Sequence, residues 1–182
     1  MPARPRADAR ANRQRLLAEA DAVFREQGTG ASLEAIAKRA GLAIGTLYGH
    51  FPNRRALLGA LMSERNEDLF TAAEALSAEP PEVALRTWIS MTVTHAATYS
   101  GLATHLITGT DDVTSELHAS CTQMAAIVDA LVRRAVDAGV IRPTTTGADL
   151  HALTTACAWA REHSSPEQAD RLIDLAFLGI LV

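Results

Sequence analysis

Apolar residues recur at intervals of three and four along almost the whole chain, and no run alternates with a period of two. Leu16, Leu17, Ala20, Val23 and Phe24 step along one helix face until Gly28-Thr29-Gly30 stops the run, as a glycine C-cap does. Ser32 suits the N-cap of the next helix and Glu34 its positive end. Leu33, Ile36, Ala37 and Ala40 form its inner stripe. Gly41 supplies a left-handed turn residue, and a third, short helix is expected over about 44–51. Pro52 breaks it, Asn53 can cap the next, and Leu57, Leu58, Leu61, Met62, Arg65, Leu69 and Ala72 continue a long fourth helix. Glu79-Pro80-Pro81 is a firm break. Further helices are predicted over 82–99, 102–108, 112–138, 147–161 and 166–181, punctuated by Gly101, Gly109, Gly139, Pro143 and Ser164-Ser165-Pro166. The fold class is therefore all-α, with about nine helices.

The second and third helices and the turn between them have helix–turn–helix spacing over 32–51. Leu47 and Phe51, four residues apart, share the face that packs inward, with Leu42 leading in from the turn. At about 100° per residue, Gly45 and Gly49 fall nearly opposite. Thr46 and His50 flank these glycines on one side, Ile44 and Tyr48 on the other. Glycine costs about 1 kcal/mol relative to alanine inside a helix. On an outward face it also lets another backbone or a ligand come close.

Composition and charge change this picture in one respect. The 182 residues are 48% hydrophobic and 21% charged, a profile of ordinary soluble domains. No long uncharged apolar run suggests a transmembrane helix, and no apolar stretch follows the basic N-terminus to make a secretory signal. Cys121 and Cys157 read as free thiols in a reducing cytoplasm, with an inter-helix disulfide as the alternative. The net charge of -4 is unevenly spread: residues 1–55 carry ten Lys/Arg against five acids, and the remainder seven against sixteen. A basic front on an acidic body is the footprint expected when only the front meets a polyanion.

The stretch TGASLEAIAKRAGLAIGTLYGHFPNRRALLGAL resembles the DNA-binding segment of the TetR family of bacterial transcriptional regulators. The pattern is carried by Gly41, Gly45, Thr46, Leu47, Tyr48, His50, Phe51, Asn53, Arg54 and Leu57. The resemblance implies a DNA-binding domain over 10–69 and a larger helical domain over 70–182 that dimerises and usually holds a small-molecule pocket. It implies a cytoplasmic, sequence-specific DNA-binding regulator, a homodimeric repressor released from a palindromic double-stranded operator by an unknown small-molecule effector, with no catalytic residues, cofactor, metal or membrane partner. The candidate DNA-binding residues are Ser32, Ala43, Ile44, Gly45, Thr46, Tyr48, Gly49, His50 and Arg54. Among them Tyr48 and His50 resemble phosphate contacts, Arg54 a basic phosphate clamp, and Thr46 a base or phosphate contact.

Two departures from the family pattern bear on specificity. Position 49 usually holds a larger side chain, and Ala43 stands where a serine or threonine often caps the recognition helix. That helix has no Arg, Lys, Asn or Gln, so it lacks the bidentate readout of guanine or adenine. Ile44 and Thr46 can touch thymine methyls. Specificity is therefore expected to lean on methyl contacts, backbone geometry and DNA shape.

Beyond the front, inward stripes mix apolar residues with isolated polar ones, as a ligand pocket does. The candidate pocket residues are Trp88, Met91, Thr92, His95, Tyr99, His105, His118, Cys121 and Met124; a helical core with interface histidines is the alternative. His118 and Cys121 share a helix face, but no second close-spaced pair joins them to hold a metal. The last two helices are apolar on two sides, which suggests a partner subunit across a two-fold axis. Thr155, Trp159, Leu172, Leu175, Phe177 and Leu178 are the candidate interface residues. A helical enzyme or protein-interaction module with an incidental helix–turn–helix is the competing class, although no nucleophile elbow, phosphate-cradling glycine loop or HExxH motif is present.

Overall fold

The computed structural model describes residues 4–102 and 116–182. Eight α-helices account for most of them: α1 Arg4–Gln27, α2 Leu33–Arg39, α3 Ile44–His50, α4 Arg54–Ala75, α5 Pro81–Ala96, α6 Glu116–Asp137, α7 Gly147–His163 and α8 Pro166–Ile180. The expected helix over 102–108 lies outside the described residues, apart from Leu102. The sequence signals act where they were expected. Gly28, Gly41, Gly101 and Gly139 all have positive φ. The side chains of Ser32, Asn53, Thr146 and Ser165 each accept a hydrogen bond from a first-turn N–H of the helix that follows, relieving donors that a helix start leaves unpaired.

The apolar stripes close into two main cores. The first gathers Leu16, Leu17, Val23 and Phe24 of α1, Ile36 of α2, Leu47 of α3, Phe51, and Leu57, Leu58 and Leu61 of α4. The second gathers Leu69, Leu85, Trp88, Ile89, Val132, Leu150, Ile173 and Phe177 from α4 to α8. Helix α4 belongs to both, its first half packing with α1–α3 to form the head and its second half packing against α6. The C-terminal end is tied back by a single antiparallel bridge between Ile141 and Leu181.

One segment crosses between the cores. Helix α5 stops at Ala96, and residues 97–102 turn away from its axis. Tyr99 and Leu102 enter the first core, where both are fully buried. The Tyr99 hydroxyl donates to Asp21 of α1, and its ring lies edge-on to Phe24 at 6.1 Å. The Ser100 carbonyl accepts from both the backbone N–H and the hydroxyl of Thr29. Glu162 of α7 accepts from the Ser100 hydroxyl at 2.8 Å and the Gly101 N–H at 2.7 Å.

Candidate nucleic-acid interface and effector cavity

The turn between α2 and α3 closes on backbone alone: Gly41 N–H donates to Lys38 O and Leu42 N–H to Ala37 O. Gly41 sits at φ +66, a conformation that favours glycine. Arg15 of α1 donates to the Ala40 carbonyl and holds the turn against the first helix. Helix α3 then buries Leu47, with Phe51 just past its end, and turns its other faces outward.

A Cβ added at Gly45 or Gly49 would meet nothing within 4 Å. Both glycines are exposed, Tyr48 is 49% exposed, and Ile44, Thr46 and His50 are half-buried. Ile44 also leans on the first core. Ser32 and Ala43 are exposed N-cap residues of α2 and α3; Ala43 makes no side-chain cap bond. Ala43→Ser supplies that bond and is expected to stabilise the protein by about 1 kcal/mol. Thermal unfolding should show a midpoint raised by about 2–4 °C.

Arg54 has a structural role as well. Its guanidinium donates to the carbonyls of Thr29 at 2.6 Å and Ala31 at 2.5 Å, groups in the turn after α1 that lack helical partners. Other bases of the front are engaged as well: Arg39 pairs with Glu19 and Glu26, Arg25 with Asp21, and Arg13 with Glu64. Exposed Arg10 and Lys38 form no ion pair among the described residues. The positive excess seen in the sequence is thus only partly free to meet phosphates.

Behind the head, helices α4, α5, α6 and α7 enclose a cavity of about 650 Å³. Of the residues expected there, Trp88, Thr92 and His95 of α5 and Cys121 and Met124 of α6 line it. Met91 faces a separate surface cleft beside Arg65 and Asp68. His118 does not line the cavity, and His105 lies outside the described residues. Tyr99 is excluded because α5 ends before it and the chain carries it into the head.

Val128 of the inward stripe lines the cavity as well; the sequence reading did not single out as pocket residues Met62 and Asn66 of α4, Ser120 of α6, or His151 and Thr154 of α7, which also line it. Thr155 and Trp159, expected at a subunit interface, line it too; Trp159 is 51% exposed and stacks on His163. The hydroxyls of Thr92, Thr154 and Thr155 donate to carbonyls of their own helices. Asn66 has no such satisfaction. It is 1% exposed, and neither its amide nitrogen nor its oxygen has a partner among the described residues. A buried group left in that state costs about 1–3 kcal/mol. The buried Nε2 of His95 is also without a partner. Burial, aided by the charge of Arg65, pushes the His95 pKa down to about 4.

On the outer face of α8, Leu175 and Leu178 are 64% and 72% exposed, while Leu172 is half-buried. Phe177, expected on the same surface, is 2% exposed and belongs to the second core. Its chain neighbour Leu178 turns outward, but the angle it shares with Ile173 turns Phe177 inward, under Arg86, whose guanidinium lies 5.5 Å from the ring. Among the described residues no group of three or more His, Cys, Asp or Glu is placed to hold a metal ion. No helix there is long and apolar enough to cross a membrane.

Residues 16–61 match the family model described as bacterial regulatory proteins, tetR family, and residues 80–182 match the SbtR-like transcriptional regulator C-terminal domain. No curated protein matches the chain. A TetR transcriptional regulator from Streptomyces coelicolor is 33% identical, covers 93% of this chain and 98% of its own, and superposes with a TM-score of 0.64. A TetR transcription regulatory protein from Mycobacterium vanbaalenii is 30% identical over 97% of this chain and 99% of its own, with a TM-score of 0.59. The fold alone is shared with Bacillus subtilis FadR in complex with stearoyl-CoA, at 18% identity over 92% of this chain and 98% of that one, with a TM-score of 0.65. With a reading helix that presents an open face and both parts of the chain matched by family models, the chain belongs to the TetR family and is a DNA-binding transcriptional regulator.

Proposed function

We propose that the protein is a homodimeric repressor that places two copies of α3 in successive major grooves of a palindromic operator and leaves the DNA when a small molecule fills the cavity. It acts in the cytoplasm and catalyses no reaction. The observation that carries this reading is the position of α4, whose first turns share a core with Leu47 of the reading helix and whose middle, at Met62 and Asn66, forms a cavity wall. Half-sites repeat about every 34 Å along DNA, so a change in the angle between two heads alters the fit of both. The fold it shares with FadR, a regulator seen with stearoyl-CoA, supports an effector-binding role. Tyr48 and His50 supply phosphate contacts, and Ile44 and Thr46 face the bases. Arg54 holds the turn before α2 through Nη1 and keeps its Nη2 and Nε donors for a phosphate.

A gel shift on DNA upstream of the protein's own gene, repeated at rising salt, tests the assignment. Retardation that weakens steeply with salt is expected; no retardation of any duplex at low salt would favour the interaction-module class instead.

Gly49→Arg probes the reading face directly. The open space beside Gly49 predicts an unchanged fold, with a midpoint within about 2 °C of the parent, since surface changes away from special features move stability little. The new guanidinium should add about 1–3 kcal/mol of preference for guanine at one operator position. Selection from a randomised operator library checks this; an unfolded variant would show that the face has been misplaced.

A further inference from the structure

Among the described residues, none of those lining the cavity is Asp, Glu, Lys or Arg. Trp88, Met62, Met124 and Val128 make much of its surface apolar. Asn66, a lining residue on α4, holds one amide donor group and one acceptor, both buried and without a partner among the described residues. His95 adds a buried ring nitrogen from α5. Its low pKa keeps the imidazole neutral at pH 7, so it offers a hydrogen bond without a charge. Burial also pushes the Cys121 thiol up and keeps it protonated. The cation that acts on this thiol is Arg55, which does not line the cavity.

We propose that the cavity takes an uncharged, predominantly apolar molecule with one amide-like end, whose donor and acceptor pair with Asn66 and His95, and that it discriminates against carboxylates and phosphates. This assignment rests on the effector reading above and adds the chemical class of the effector. An anion entering the cavity would lose its hydration and meet no cationic side chain among the described lining residues; Arg55 and Arg65 act on Cys121 and His95 without lining it. A neutral amide would exchange water for Asn66 at little cost. A hydrocarbon of the same shape would fill the space and leave Asn66 as unpaired as before, so it gains none of the hydrogen bonding that the amide gains.

The two tryptophans of the chain, Trp88 and Trp159, both line the cavity, so intrinsic fluorescence of the full-length protein reports on its contents. Three matched probes separate the alternatives: 4-cyclohexylbenzamide, 4-cyclohexylbenzoate and cyclohexylbenzene. The amide is expected to bind at least about tenfold more tightly than either of the others. Asn66→Leu should remove that preference and leave hydrocarbon binding unchanged; His95→Phe should reduce it in part. Leucine replaces a buried, unpaired amide of similar size, so the variant should fold, and a thermal melt verifies it. Benzoate binding equal to that of the amide, or a preference that survives both substitutions, overturns the class while leaving the effector reading in place. Fluorescence unmoved by all three probes overturns both.

Discussion

Tyr99→Ala is expected to destabilise the protein by about 3–5 kcal/mol, the range for removing a large aromatic from a packed core. The loss should fall on the reading head, although residue 99 lies far along the chain from it. The ring packs in the first core against Phe24, and the guanidinium carbons of Arg25 and Arg65 lie 5.9 Å and 5.6 Å from its centroid. Its hydroxyl donates to Asp21, which also pairs with Arg25 and Arg65. Urea unfolding measures the stability change. Hydrogen exchange should show the lost protection concentrated in α1 and in the first half of α4. A loss confined to α5 and α7 would contradict the assignment of Tyr99 to the head.

Tyr99→Phe isolates the hydroxyl. Burial opposes ionisation of Asp21, but the hydrogen bonds from Tyr99 and Arg25 and the fields of Arg25 and Arg65 outweigh it and hold the carboxyl below its usual range. A carboxyl with a depressed folded pKa contributes stability above its unfolded value of about 3.9 and loses it as pH falls through the folded value. The stability gap between parent and Tyr99→Phe should therefore be full at pH 7 and shrink below about pH 4.

The second large effect concerns the outer face of α8. If α8 joins the proposed dimer through this face, Leu175→Glu combined with Leu178→Glu should give a monomer and weaken operator binding by about 100-fold or more, because the second head then loses its tether to the first. Both side chains are mostly exposed within one subunit, so the double variant should keep its fold. Light scattering reads the mass and anisotropy reads the affinity. Phe177→Ala serves as the contrast: with its ring in the second core, it should lower stability by about 3–5 kcal/mol. A double variant that remains dimeric would move the interface elsewhere.

The head was legible in the sequence because each of its decisions is local. Gly28 and Gly41 end helices, Ser32 and Asn53 start them, and the spacing of Leu47 and Phe51 against Gly45 and Gly49 separates the two faces of α3 without knowledge of the rest of the fold. The cavity was less legible. Helical periodicity carried through Tyr99 predicts an inward residue of α5, and Tyr99 is indeed buried, but periodicity cannot say which core receives a side chain once the helix has ended. Asn66 lies in the polar run Arg65-Asn66-Glu67-Asp68, where nothing marks one residue as buried. Its burial comes from α4 meeting α5 and α6, a long-range event. Phe177 and Leu178 are adjacent apolar residues, and only the packing of α8 against α5 and α7 decides which one faces inward. Arg54 reads as a free cation in sequence because its partners are backbone carbonyls, which leave no trace in residue type.

The crossing segment also constrains how such regulators exchange parts. A chimera joined within residues 76–80 would cut between the two family-model matches, a natural place to recombine a reading head with a new sensor. Yet the head's core takes Tyr99 and Leu102 from beyond that joint, and Thr29 takes the Ser100 carbonyl. A donor sensor with a different segment here would leave a hole beneath α1 and an unpaired N–H at Thr29. Heads and sensors of this lineage are therefore expected to be inherited together, and a working graft would carry residues 97–102 across with the head, together with an acid at the position of Glu162 to receive them.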